Sequence, residues 1–322
     1  MGWSLGHRVS RPRFISWTGH GAAASAPPAE FTGAHAYVFA FDADRVAIQA
    51  LVDSLLNPAT SGKLRYSAIS STAILSFVDV DRCRSLTEDI GWTSGRECGI
   101  WTPLWEHPAD GGLGRLVMWA PYVFINYSLG LITGREVWGW PKFGATLGMS
   151  RDQPEQPANY TCRTMIFRDF GHDVMGKEET LIEVRGPHPS PVPHTPWGEI
   201  SHGLVSIAEH LSEEALDAAL RAHLIEPVLP IVALKQFRDG ADPEFACYQA
   251  IVNSPCRLTR FHAGGLLEGP FELEFAQCRS HPILADMAGE PIATNGSLRR
   301  TAKWSAWLNF DFIADPGSAV TA

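Results

Sequence analysis

Between Arg115 and Arg135 the chain runs for nineteen residues, LVMWAPYVFINYSLGLITG, without a charged side chain. A run of that length belongs in a bilayer or in a protein interior, where apolar surface is removed from water. Pro121, Asn126, Tyr127 and Ser128 interrupt it and leave two short aliphatic and aromatic pieces in place of one helical span. A buried strand over 115–127 that leads into a short helix fits this pattern. Such a strand requires an extensive core around it, and 322 residues are enough to build one.

The other segments read as partners for that strand. AHAYVFAF at 34–41 is rich in β-prone residues, and Asp42 or Asp44 then caps a helix over 43–56. Its expected apolar face is Val46, Ala47, Ala50, Leu51, Val52 and Leu55, and Asn57-Pro58 stops it. Further strands are expected over 63–80, 97–105, 144–150, 159–168, 179–185, 228–238, 245–261, 270–277 and 303–313. A Pro-rich segment occupies 186–198, and Ser212 to His223 reads as an amphipathic helix. Many strands, few helices and no alternating strand-helix rhythm define an α+β class. Residues 1–30 form an irregular arm whose first 29 residues carry three arginines and no acid, without the amphipathic period of a targeting helix.

Composition excludes several function classes. A net charge of −9 and a pI near 5.7 give no basic stripe for phosphate, so nucleic acid is not an expected partner. The six cysteines are far apart, with no CxxC pair, and read as reduced core thiols of a cytoplasmic protein with no membrane partner. No phosphate loop, dinucleotide fingerprint or GxSxG elbow is present, and none of the twelve histidines makes an HxH or HExxH pattern.

The uncharged run ends in GREVWGWPKFG, residues 134–144. Asn126 or Ser128 can cap a helix through Leu129, Leu131, Ile132 and Arg135, and Pro141 ends it. Proline stiffens its own backbone and pushes Trp140 toward an extended conformation, which sets Lys142 on a rigid segment beside aromatic rings. Desolvation there favours the neutral amine, which attacks a carbonyl, and the resulting Schiff base is an electron sink for carbon–carbon cleavage. The alternative is a lysine that runs past the rings to water. Arg135 and Glu136 read as a structural pair. Glu97, beside an apolar pocket, suits proton transfer to carbon. Trp140, Phe143 and Trp101 are candidate substrate contacts, with Tyr248 and Gln249 as further ones. Trp101, Trp105, Trp119, Trp138 and Trp140 together imply a cavity for a larger, flatter ketone.

GREVWGWPKFG resembles the Gly-Arg-Glu-x-x-x-aromatic-Pro-Lys signature of the acetoacetate decarboxylase family, in which the lysine after the proline forms the Schiff base. The resemblance makes Lys142 the nucleophile. Glu97-Cys-Gly-Ile-Trp-Thr-Pro-Leu is similar to the family's Glu-x-Gly-x-x-x-Pro segment, so Glu97 takes the place of its active-site glutamate. Residues 228–286 look like the family's closing strands, and the likeness covers 34–313. It implies a mainly antiparallel β-barrel or cone with a few packed helices, one domain over 31–322, and a homo-oligomer with no metal or organic cofactor. The implied activity is that of a Schiff-base-forming, decarboxylase-like lyase on a keto acid or related ketone. An aldolase-dehydratase using the same imine and a non-catalytic ligand-binding barrel are the alternatives. Three departures bear on the choice. Phe143 stands where the decarboxylase has a second lysine. The family's carboxylate-binding arginine has no counterpart in TGAHAYVFAF, and small or apolar residues of STAILSFV replace its second glutamate.

Overall fold

The computed structural model describes residues 14–15, 24–149, 157–188 and 228–320. The expected helix at 212–223 and most of the Pro-rich segment lie outside these residues. Among those described, sixteen strands and three α-helices alternate irregularly along the chain. The first half contains β1 (Ala29–Asp42), α1 (Arg45–Leu55), β2 (Leu64–Ala68), β3 (Thr72–Ser85), β4 (Thr93–Pro108), β5 (Arg115–Ile125), α2 (Ser128–Thr133) and β6 (Lys142–Gly148). There follow β7 (Ala158–Ile166), β8 (Lys177–Gly186), β9 (Val228–Leu229), β10 (Ile231–Arg238), β11 (Ala246–Asn253) and β12 (Cys256–Leu266). The remainder is β13 (Glu272–Ala276), α3 (Ile283–Ala288), β14 (Ser297–Thr301), β15 (Trp304–Ala314) and β16 (Ser318–Ala319).

The strands hydrogen-bond in the order β14-β13-β8-β7-β6-β5-β4-β3-β1-β15-β12-β9, with β2, β10, β11 and β16 attached beside this path. The fold is mostly strand with few helices, but the described ladders leave β14 and β9 as separate ends, so the expected closed barrel is not what they form. The sheet is also mixed. β5 pairs in parallel with both β6 and β10, and β6 begins only after a crossover through α2 has carried the chain back along β5.

Period-two alternation divides the residues of the long strands between two faces. Phe39, Phe41, Leu75, Phe77, Cys98, Ile100 and Phe124 are fully buried in the main core, where Tyr160 of β7 and Phe271 just before β13 pack on Phe39. Each such aromatic contributes roughly 1.5–3 kcal/mol by leaving water. The alternate positions of β4, Glu97, Gly99 and Trp101, belong to the other face. Asp44 caps α1, its Oδ1 accepting from Val46 N at 2.6 Å and Ala47 N at 3.4 Å. The apolar stripe of α1 is rotated from the expected one: Ile48, Val52 and Leu56 are buried in an i, i+4, i+8 row, whereas Val46 and Leu55 are exposed. No helix among the described residues is long and apolar enough to cross a membrane. The uncharged run instead divides into β5 and α2, as its interruptions require.

Candidate active site

The connection from β5 to β6 builds the site. β5 ends at Ile125, α2 follows, and Gly134–Trp138 forms one wide π-helical turn. Neither expected cap serves α2: its cap residue is Tyr127 with no side-chain bond, and Asn126 Oδ1 instead accepts from Arg96 N at 2.8 Å. Gly139 then reverses the chain at φ +80°, a left-handed value that favours glycine. Past Pro141, Lys142 opens β6 directly beside Val123 of β5. Arg135 fixes this start, its Nη1 donating to Lys142 O at 3.2 Å, which is the structural role expected of it.

Lys142 is buried, and its Nζ lies 2.6 Å from Glu97 Oε2. Glu97 reaches it from β4, two strands away across β5, so residues 45 positions apart in sequence meet through the ladder. The ammonium also sits over the Trp140 ring, 4.8 Å from its centroid. That ring stacks on Trp138 at 5.0 Å, and the indole N–H groups are anchored on Ser254 Oγ and Asp315 O at 3.1 and 3.0 Å. Gly134 makes room for the lysine stem: a Cβ there would lie 2.5 Å from Lys142 Cδ.

A cavity of about 70 Å³ opens beside Lys142, walled on its apolar side by Phe31, Leu129, Trp138 and Trp140. Its polar side carries Cys83, Tyr127 and Thr133. Ser25, from the segment that precedes β1, donates its N–H to Thr133 Oγ1 at 3.0 Å and contributes to the lining. Burial pushes the Cys83 thiol up to about 11 and that of Cys256, which also feels the Glu97 charge, up to about 12. Both thiols therefore stay protonated at neutral pH, and the Lys142 amine remains as the candidate nucleophile.

The structure brings together three of the expected site residues, Lys142, Glu97 and Trp140, and separates the others. Phe143 follows Lys142 in a strand and so points to the opposite face, where it packs on Phe124 and edge-on against His281. It does not line the cavity as the substrate contact expected of it. Trp101 shares the face of Glu97 but donates its Nε1–H to Ser76 Oγ at 2.9 Å, outside the cavity lining. Tyr248 pairs across β10 and β11 with Phe237, and the Lys235 ammonium lies 5.4 Å from its centroid. It too is absent from the lining, while Gln249 bonds Gln236 at 2.9 Å. Of the five clustered tryptophans, Trp138 and Trp140 line the cavity and Trp119 is packed into the main core, so they do not form one wall for a large flat ketone. Sequence reasoning passed over Cys83, Tyr127, Thr133 and Ser25, because nothing local marks residues that a sheet and a crossover gather from distant positions. Among the described residues no three His, Cys, Asp or Glu side chains converge to hold a metal.

No family model matches the chain, and no curated protein matches it. Solved structures do. Acetoacetate decarboxylase from Legionella pneumophila superposes with a TM-score of 0.58 at 13% identity, over 97% of this chain and 92% of its own. The chain has the acetoacetate decarboxylase fold. Two other enzymes superpose on it similarly. The enduracididine biosynthesis enzyme MppR has a TM-score of 0.58 at 14% identity, over 98% of both chains. An acetoacetate decarboxylase-like enzyme from Sphingomonas wittichii RW1 has a TM-score of 0.57 at 11% identity, over 94% of this chain and 96% of its own. The acetoacetate decarboxylase fold is thus retained over nearly the whole length with about seven in eight residues changed.

Proposed function

We propose that the protein is a Schiff-base-forming enzyme that acts on a small keto acid or related ketone through Lys142. The observation that carries this reading is the buried Lys142 ammonium, 2.6 Å from Glu97 and at the edge of a cavity. Glu97 takes a proton from the ammonium, and the freed amine adds to the substrate carbonyl. Loss of water gives an iminium, which draws in the electron pair of the bond that breaks. In a decarboxylation that pair comes from the bond to the departing carbon dioxide, and protonation of the enamine carbon by Glu97 followed by hydrolysis releases the ketone.

An aldolase-dehydratase is the second reading, in which the same enamine attacks an aldehyde and the adduct then loses water. It is favoured by Phe143 at the place of a second lysine, and by the likeness to MppR, structures of which hold pyruvate and the condensation product of pyruvate and imidazole 4-carboxaldehyde. Incubation with acetoacetate or pyruvate followed by borohydride tests both readings. The expected result is an added mass on the Lys142 peptide that Lys142→Ala abolishes. Carbon dioxide release from acetoacetate supports the first reading, and new product from pyruvate with an aldehyde the second. If no ketone leaves a reducible adduct, the lysine is not a nucleophile and a ligand-binding role replaces catalysis.

A further inference from the structure

We infer that Tyr127 is a further catalytic residue of this site, the proton donor to the substrate oxygen while the Lys142 imine forms, an inference that rests on the Schiff-base reading above. Tyr127 lies between β5 and α2 and lines the cavity together with Lys142. Its ring occupies a slot that two glycines leave open from opposite elements. A Cβ on Gly95 of β4 would lie 2.0 Å from Tyr127 Cε1, and a Cβ on Gly130 of α2 would lie 2.3 Å from Cζ and 2.6 Å from the hydroxyl oxygen. Any larger residue at either position would displace the ring, so the backbone itself fixes the phenol in the cavity wall.

Two other polar groups of the lining are already engaged. Thr133 Oγ1 accepts from Ser25 N at 3.0 Å and lies 3.4 Å from Ser25 Oγ, and the Trp140 N–H is bound to Ser254. The Cys83 thiol is the polar group beside the Tyr127 hydroxyl, and sulfur is a weak acceptor. A substrate oxygen is the stronger one, so the hydroxyl gains by turning to it. Burial, with Cys83 and Glu97 nearby, raises the phenol well above its ordinary value, which keeps the proton in place until an acceptor arrives. Glu97 takes the proton that frees the amine and holds it for the enamine carbon, which leaves the substrate oxygen to a second donor.

The step balances without any further reactant. The amine forms a C–N bond, the carbonyl π pair moves to oxygen, and that oxygen takes the Tyr127 proton. The N–H proton that the new ammonium sheds returns to the phenoxide and leaves a neutral carbinolamine. A second donation from Tyr127 then releases the hydroxyl as water while the nitrogen lone pair forms the iminium, so that Tyr127 regains a proton when the imine is hydrolysed.

The test follows adduct formation by rapid mixing, borohydride quench and mass, with pyruvate, acetoacetate and acetone as probes. Wild type and Tyr127→Phe are compared across pH in H2O and in D2O. Phenylalanine fills the same slot, and thermal unfolding confirms that the variant is folded. The expected result is trapping about 100-fold slower in Tyr127→Phe, with the same ketone concentration for half-maximal rate, and loss of the solvent isotope effect that wild type shows. Fluorotyrosine at position 127, a more acidic donor, restores trapping and shifts the pH profile. Equal rates in wild type and Tyr127→Phe would overturn the role of Tyr127 alone, as would wild-type trapping without a solvent isotope effect. No adduct in wild type with any of the three probes would instead overturn the Schiff-base reading, and this inference with it.

Discussion

Lys142 and Glu97 share one buried contact, and the worth of each depends on the other. A buried ion pair is weak as a source of stability, but removal of one partner strands the other charge, at a cost of about 3–5 kcal/mol when both are fully buried and less where one reaches water, as Glu97 does. Lys142→Met and Glu97→Gln should therefore each lower the unfolding free energy more than the double variant does, and denaturant titration of all four proteins would show it. Strict additivity would mean that the contact carries no coupling. A second buried residue makes stability depend on pH. His281 is 4% exposed, has an Nε2 without a partner among the described residues, and packs beside Tyr122, Phe124 and Phe143; burial lowers it to about 4. The folded state resists protonation that the unfolded chain accepts, so stability is unaffected above pH 6.5, falls as pH drops from there, and is fully lowered below about 4. The loss reaches roughly 3 kcal/mol. Asp286, raised by burial and bonded to Tyr122, works in the opposite direction, so the comparison that isolates the effect is His281→Leu, whose acid slope should be shallower than that of wild type. At this scale Lys142 was legible because proline and tryptophan mark its backbone. Glu97 was expected in the same site through family likeness, whereas its direct contact with Lys142 was not. Tyr127 was not, since the two glycines that hold it are innocuous in sequence and become meaningful only when β4 and α2 meet.

The element that decides the site is the crossover from β5 to β6. Its entry was readable from the break of the uncharged run at Asn126, and its exit from Pro141. The π-helical turn between them was not, because a wide turn differs from an α-helical one by a single residue of register. α1 shows the same limit: its existence and its cap at Asp44 followed from the sequence, whereas its buried row was rotated, since β2 and α3 choose which stripe is covered. Closure of the expected barrel or cone is not seen among the described residues, and sequence could not decide it for a related reason. Alternating apolar residues indicate that a strand has a buried face, but not which edge finds a partner. Within the crossover, Gly139 combines a left-handed φ with a close approach, a Cβ there falling 2.5 Å from Lys235 Cβ on β10. Gly139→Ala should destabilise by about 2–4 kcal/mol, read from chemical denaturation, and should also slow ketone trapping by moving Lys142. Unchanged stability would mean that β10 is not held against this turn.

Across the whole molecule, stability comes from an aromatic core and a continuous ladder, without covalent crosslinks. All six cysteines are free, and Cys98 and Cys162 are deeply buried neighbours in that core. Thermal unfolding should therefore have the same midpoint with and without a thiol reductant, and a midpoint lowered by reductant would reveal a bridge. The overall class and most strand positions could be read in advance from alternation and turn residues. The strand order could not, because it depends on contacts between distant parts of the chain. β1 lies between β3 and β15, with Ala29 opposite Ala314, and these two alanines pack together around Trp138, next to Lys142. As the ribosome delivers the chain, one flank of β1 must wait for a partner that is translated more than 200 residues later. Throughout that wait the wall behind Trp138 is missing, so a nascent chain carries Lys142 but cannot yet bury it. Lys142 is thus sealed in place by nearly the last strand to be made, and a truncated product would present it to solvent as an ordinary surface amine.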